Sequence, residues 1–249
     1  MSVPRYNRDK YYRIMDVTQS NYANQLTRLS KDAKRADFIL IYYSLALIIY
    51  SLSVKFYPSL FDETWISYSS IILSIVVLIY SIINSKAAYP KRIRKIQKAL
   101  NKIKGLKREV GDLPNLTDCH RSSESKNADP CDDCGHKQIC SQLESLKKEY
   151  DDLVSSTEVR EDIDFYHTIC QLCKKYGLNP YTGKFKVTPQ NINLEDPTIN
   201  ELLGYISENH PVKNGLYSAY TSFWHFFLWL IPILIFVVSV CIKLHIFTL

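Results

Sequence analysis

Four cysteines lie close together near the middle of the chain, and clustered thiols can bind a metal ion. Cys119, Cys131, Cys134 and Cys140 fall within 22 residues, and two residues separate Cys131 from Cys134. Four thiolates with one such spacing can complete the tetrahedral coordination that Zn²⁺ prefers. A structural zinc ion is therefore a candidate cofactor. Metal-free thiols in a loop, or redox use of the same residues, remain open alternatives.

A second pair of cysteines, Cys170 and Cys173, has the same two-residue spacing. In a helix this spacing places both side chains on one face, which here is otherwise apolar. Thiols on an apolar face most often pack as small hydrophobic groups, so core packing is the favoured role. The alternative is a metal or redox sensor that uses both cysteine pairs.

Serine side chains recur along one face of each of two apolar segments, at spacings of 3, 4 or 7 residues. In assembled membrane helices such a face can line a path for water. Small hydroxyl residues also pack helices together and bond to their own backbone, and the two roles are compatible. The pore-facing candidates are Ser44, Ser51, Ser67, Ser70, Ser74 and Ser81.

The two serine-bearing segments are Phe38–Val54 and Trp65–Asn84, neither of which contains a charged residue. A bilayer core of about 30 Å requires roughly 20 helical residues, with about 17 as the lower limit. The pair therefore predicts a transmembrane hairpin, in preference to two core helices of a soluble protein. A third apolar segment, Phe223–Ile242, contains Pro232 and is predicted to span as well, in preference to lying along the membrane surface.

Basic residues flank the hairpin on one side only. The loop that joins the two segments contains Lys55 against Asp62 and Glu63. The positive-inside rule then places the N-terminus and the middle of the chain in the cytoplasm. With a net charge of +6, we expect these residues to contact anionic lipids rather than nucleic acid. They are Arg28, Lys31, Lys34 and Arg35 before the hairpin and Lys86, Lys91, Arg92, Arg94, Lys95, Lys98, Lys102, Lys104, Lys107 and Arg108 after it.

The predicted fold is an all-α membrane protein with a cytoplasmic, coiled-coil-like helical domain. The predicted parts are an amphipathic helix at 1–36, the hairpin at 37–85, the cytoplasmic domain at 86–221 with a cysteine-bearing insertion at 111–140, and a third span with a short tail at 222–249. Two stretches of near-heptad apolar spacing predict an antiparallel helical hairpin, and two separately packed surface helices are the alternative. The apolar positions are Ile93, Ile96, Leu100, Ile103, Leu106 and Val110, then Leu143, Leu146, Tyr150 and Leu153.

No enzyme motif is recognisable in the sequence. The chain lacks a glycine-rich phosphate loop, a nucleophile elbow and a His-Glu-x-x-His pair. We therefore expect a protein that is not an enzyme.

The arrangement resembles the SLATT domain, found in bacterial two-transmembrane effectors of nucleotide-signalling and other anti-phage systems. The resemblance rests on a basic helix, two close spans, the stretch from Ser85 to Tyr89 and a following amphipathic helix. A later segment is similar to the polar Asn-His segment of one SLATT subfamily, some of whose members accompany reverse transcriptases. This segment consists of Glu208, Asn209 and His210, followed by Tyr217.

The resemblance implies an oligomeric effector that forms a pore or otherwise permeabilises the bacterial inner membrane. A partner encoded nearby, either a nucleotide-synthesising enzyme or a reverse transcriptase, would trigger it, and the infected cell would die or arrest. Two alternatives to this antiviral role stay open. One is a membrane-anchored scaffold that recruits a cytoplasmic partner through its cysteine-bearing hairpin, and the other is a metal or redox sensor.

Overall fold

The computed structural model of the chain describes residues 7–114, 137–185 and 197–244. These ranges contain seven α-helices and no β-strand, which confirms the predicted all-α fold. The helices are α1 (Arg8–Phe56), α2 (Glu63–Ala87), α3 (Tyr89–Asp112), α4 (Lys137–Ser156), α5 (Asp162–Lys175), α6 (Pro197–Ser207) and α7 (His210–Lys243).

The chain divides into two compact units. The helical unit contains residues 1–28 and 93–211, and the apolar unit contains residues 29–92 and 212–249. The predicted N-terminal helix and the first predicted span form one uninterrupted helix of 49 residues, α1.

In the apolar unit, three helices are long and apolar enough to cross a membrane: α1, α2 and α7. Their surfaces carry large hydrophobic side chains that water would not tolerate as a continuous patch, with Ile41 68%, Ile71 62% and Phe226 64% exposed. Lipid is the solvent that such a surface requires. All three segments predicted to span a membrane therefore lie in helices of sufficient length and hydropathy.

A short turn joins the first two of these helices. Asp62 caps α2, because its carboxylate accepts a hydrogen bond from the Trp65 amide at 2.7 Å. Phe61 in the same turn is buried against Phe236 of α7, with the ring centroids 4.9 Å apart. The interior of the unit is completed by Tyr43, Ala46, Tyr50, Ile66 and Leu73.

In the helical unit, the first half of α1 contacts α3, α4 and α5. Asp16 forms an ion pair with Lys107 of α3, and the Thr18 hydroxyl lies 2.8 Å from that of Tyr150 in α4. Lys102 of α3 and Glu149 of α4 form an ion pair at 3.0 Å. The apolar positions of α3 face the interior, since Ile96, Ala99, Leu100, Ile103, Leu106 and Val110 are all buried.

A buried ion pair fastens α5 to α1. The Arg28 guanidinium donates two hydrogen bonds of 3.0 Å to the carboxylate of Asp164, which is 0% exposed. The same guanidinium lies 2.8 Å from Glu161, the N-cap residue of α5. Two fixed N–H bonds to one carboxylate define both the position and the orientation of the helix.

Candidate functional site

The serine candidates lie along the edge of the packed face of the apolar unit. Five of the six side chains are exposed and the sixth, Ser70, is half-buried. On α2 they run beside the buried positions Ile66 and Leu73. The exposed serines therefore lie on the outside of a single copy of the unit, in one row on α1 and one row on α2, which together are called the serine stripe; they are Ser44, Ser51, Ser67, Ser74 and Ser81.

One of these hydroxyls bonds to its own helix. Ser74 Oγ donates to the Ser70 carbonyl at 2.8 Å. Such a bond satisfies the hydroxyl in lipid, so this serine can lie at an outer helix surface without water. The same hydroxyl oxygen retains acceptor capacity toward water or a neighbouring helix.

Helix α7 contains a proline that would leave a backbone carbonyl without its usual donor. Pro232 has no amide hydrogen, so the Leu228 carbonyl four residues earlier lacks its helical partner. The Tyr43 hydroxyl of α1 donates to this carbonyl at 2.9 Å. An unsatisfied backbone group is costly in a bilayer, so Tyr43 compensates for the proline at the point where α1 and α7 pack.

Two further tyrosines of α1 donate to carbonyls in the same turn of α7. Tyr42 donates to Trp229 at 3.1 Å, and Tyr50 donates to Pro232. The rings of Tyr42 and Trp229 also stack, with centroids 5.2 Å apart and planes 2° apart. Later residues of α1 contact later residues of α7, so these two helices run parallel. Helix α2 lies between them in the sequence.

Two residues with positive φ mark helix boundaries. Ala88, with φ 46°, separates α2 from α3, and Asn209, with φ 61°, separates α6 from α7. The left-handed conformation ends the preceding helix and redirects the chain. Asparagine tolerates this conformation, whereas alanine is strained in it. The helix boundary at Ala88 therefore lies two residues after the predicted start of the cytoplasmic domain, and Pro90 lies in the first turn of α3.

The segment with the Asn-His motif forms the joint between α6 and α7. His210 Nε2 lies 2.6 Å from the Glu208 carboxylate. Its ring is enclosed by the rings of Phe165, Tyr166 and Tyr205, with centroid distances of 5.8, 5.0 and 5.8 Å. The motif therefore fixes the first residue of α7 against α5 and α6.

Tyr217 is the remaining residue of that motif. It lies two turns into α7 and is 43% exposed. The structure thus brings Glu208, Asn209 and His210 together at the joint, while Tyr217 presents its ring at the surface of the apolar unit.

Three of the four predicted zinc ligands, Cys119, Cys131 and Cys134, lie outside the described residues. Cys140 is in the first turn of α4 and is partly exposed. The zinc site stays a prediction.

The second cysteine pair divides between core and surface. Cys173 is 0% exposed and packs in the apolar core shared by α5 and α6, whereas Cys170 is partly exposed. Burial raises the pKa of the Cys173 thiol to about 11, so the thiol is protonated at neutral pH. A neutral thiol in an apolar core is a packing group, which supports the favoured interpretation of this residue.

Sequence reasoning did not find the tyrosine–carbonyl contacts or the Arg28–Asp164 pair. Pro232 in an apolar helix was a signal for an unpaired carbonyl at Leu228, but not for its donor. Arg28 gave no local signal, because its partner is 136 residues away in the sequence.

Comparison with known families shows which family has this sequence. Residues 6–238 match the SMODS and SLOG-associating 2TM effector domain family 5. The match includes the cysteine-bearing region and most of α7, so it extends well beyond the hairpin. No curated protein and no solved structure matches the chain significantly. Because the match covers nearly all of its length, the chain belongs to the SLATT family, as a member of family 5, and is a two-transmembrane-type effector domain.

Proposed function

We propose that this protein self-associates in the bacterial inner membrane and permeabilises it, as the final effector of an anti-phage defence system. The observation that carries the proposal is the row of exposed serines on α1 and on α2, within the apolar segments 38–54 and 65–84, whose other exposed residues are large and hydrophobic. Its membership of a family of membrane effectors supports the same role.

The position of the stripe argues for an oligomer. In one copy, Ser67, Ser74 and Ser81 face outward along the full length of α2, and the interior is filled by Tyr43, Tyr50 and other packed side chains. A path for water therefore has to form between copies. Several copies that place their stripes toward a common axis would line it with hydroxyl groups.

The charge distribution supports one orientation of the assembly. We assign the N-terminus and the helical unit to the cytoplasm, because basic residues are concentrated before the hairpin and along α3. α1 then leaves the cytoplasm, α2 returns and α7 leaves again. A partner in the cytoplasm, such as a nucleotide-synthesising enzyme or a reverse transcriptase encoded nearby, would supply the trigger.

Membrane potential in cells tests the proposal. Overexpression, or activation with the cognate trigger, should depolarise cells that carry the natural protein. Replacement of Ser67 or Ser74 by leucine should reduce depolarisation at least several-fold at equal membrane abundance. The matched control is Ile79→Leu, at an exposed apolar position on the other side of α2, which should leave depolarisation unchanged.

The contrary result is equally specific. Unchanged membrane potential under triggered conditions would remove permeabilisation as the function. The function of a membrane-anchored scaffold would then be favoured, and the only role of the serine stripe would be to pack helices together.

A further inference from the structure

The helical unit contains a cavity of about 410 Å³ between α1, α5 and α6. This volume lies within the range of about 300–1,000 Å³ that is typical of small-molecule sites. The apolar part of its wall is contributed by all three helices and consists of Ile14, Val17, Ile169, Leu172 and Leu202. These walls offer apolar contact to one side of a small ligand, and the cavity opens to the surface where Ile14 is 36% exposed.

Positive charge dominates the polar part of the wall. Lys10, Arg13 and Arg160 line the cavity, against one carboxylate, that of Glu201. Lys10 and Arg13 are three residues apart on α1 and so lie on the same face of the helix. A single carboxylate among three cations disfavours a metal ion and favours an anion, for which arginine and lysine are the usual protein donors.

Aromatic rings form the third part of the wall. Phe165 and Tyr205 both line the cavity and pack edge to face, with centroids 5.2 Å apart and planes at 85°. The Arg160 guanidinium lies over the Phe165 ring, 4.5 Å from its centroid. A cation stacked on an aromatic ring next to an apolar wall offers one partner for a negative group and another for a flat ring.

We propose that this cavity binds a small organic anion that joins a phosphate group to a planar ring. Lys10 and Arg160 hold the phosphate, and Phe165, Tyr205 and the apolar wall hold the ring. The phosphate could belong to a water-soluble molecule or to a lipid headgroup. The ring distinguishes the two, because a phosphoglycerol headgroup has none.

The cavity shares two residues with the joint at α7. Phe165 and Tyr205 contact the ring of His210 as well as the cavity. A ligand that packs on these rings therefore also alters the surroundings of the first residue of α7. If the proposed function is correct, this contact is a route by which a ligand controls the effector.

Equilibrium dialysis of the full-length protein in detergent tests binding with adenosine 5′-monophosphate as the probe, because it joins a phosphate to a flat ring. Inorganic phosphate, adenosine and glycerol 3-phosphate are the comparison arms. We expect saturable binding of the probe, at least tenfold tighter than any of the three. Lys10→Gln and Arg160→Gln should each weaken it at least tenfold, while Lys104→Gln, at an exposed cation on α3, should not change it.

Three results would overturn the proposal. The first is the absence of saturable binding of the probe. The second is binding of glycerol 3-phosphate as tight as that of the probe, which would indicate an anion or headgroup site. The third is binding of the probe by the Lys10→Gln protein as tight as by the natural protein. Thermal unfolding followed by circular dichroism checks that each variant is folded. None of these measurements involves membrane leakage, so failure of the cavity proposal and failure of the proposed function are distinguishable.

Hydrogen exchange tests the link to α7 separately. With the probe at saturation, amide exchange in the second turn of α7, at 214–217, should slow at least threefold, because the first-turn amides have no helical hydrogen bond. Exchange in α3, which does not line the cavity, should stay the same. Unchanged exchange after His210 would refute control through this joint.

Discussion

The contact between Tyr43 and the Leu228 carbonyl predicts that substitutions at Tyr43 and Pro232 are energetically coupled, although these two residues form no hydrogen bond with each other through this carbonyl. Pro232 removes the amide that would normally reach this carbonyl, and the Tyr43 hydroxyl donates to it at 2.9 Å. Tyr43 is 3% exposed, so water cannot replace the hydroxyl. Tyr43→Phe removes the donor and keeps the packed ring.

The size of the effect follows from the position of the carbonyl. A buried acceptor without a partner costs about 1–3 kcal/mol, and measured side-chain hydrogen bonds between membrane helices reach about 1.7 kcal/mol. We therefore expect Tyr43→Phe to lower the free energy of unfolding of the apolar unit by about 1–2 kcal/mol. In a Pro232→Ala background, the new amide donates to Leu228, and the same replacement should cost less than about 0.5 kcal/mol.

Unfolding in mixed micelles with increasing dodecyl sulfate measures all four proteins of this double-mutant cycle. Tryptophan fluorescence is a suitable signal, because the three tryptophans, Trp65, Trp224 and Trp229, all lie in the apolar unit. The control is Tyr42→Phe. The acceptor of the Tyr42 hydroxyl is the Trp229 carbonyl, and the residue four positions later, Ile233, has an amide that can serve as the usual helical donor. The coupling of Tyr42 to Pro232 should be smaller.

A coupling energy near zero would refute the reasoning. Equal costs of Tyr43→Phe with and without the proline would mean that the hydroxyl does not replace the missing amide. The packing of α1 on α7 would then rest on the aromatic contacts alone.

The helical unit gives three further expectations. Arg28→Met leaves the buried Asp164 carboxylate without its guanidinium, so urea unfolding should show a loss of about 3–5 kcal/mol, and unchanged stability would contradict the buried pair. Asn209→Ala should lower thermal stability by about 1 kcal/mol and Asn209→Gly should not, because φ is positive there. At pH 8, iodoacetamide should modify Cys173 far more slowly than Cys140, as peptide mass spectrometry can measure. The contribution of the Cys173 thiol to the free energy of unfolding should be complete below pH 9.0 and should decline towards pH 11, because the thiol loses its proton at lower pH in the unfolded chain than in the folded one.

The sequence predicted the helices because their signals are local. Charge-free segments of sufficient length predicted the spans, and near-heptad spacing predicted the buried face of α3. No helix-breaking residue lies between Asp32 and Asp37, which agrees with the uninterrupted α1. The break at Ala88 could not be read in the same way, because alanine has no preference for a left-handed conformation.

The candidate sites were less predictable because they depend on tertiary packing. The serine stripe follows from helical period alone, but the donor for the Leu228 carbonyl depends on the register of α7 against α1, 185 residues apart in sequence. The cavity is formed by side chains of three helices, and neither Lys10 nor Arg160 belongs to a recognisable motif. The enclosed position of His210 likewise depends on Phe165, whose side chain comes from α5.

Thiol labelling of single cysteine replacements along α2 tests the central claim most directly, because it asks whether the serine stripe faces water in the membrane. Cysteines placed at Ser67, Ser74 and Ser81 should react with a membrane-impermeant reagent in triggered cells. Cysteines at Ile72, Ile79 and Ile83, exposed on the other side of α2, should remain unlabelled when each site is mapped by mass spectrometry. Equal labelling of the two sets, or no labelling of the serine positions after triggering, would contradict a water path lined by this stripe.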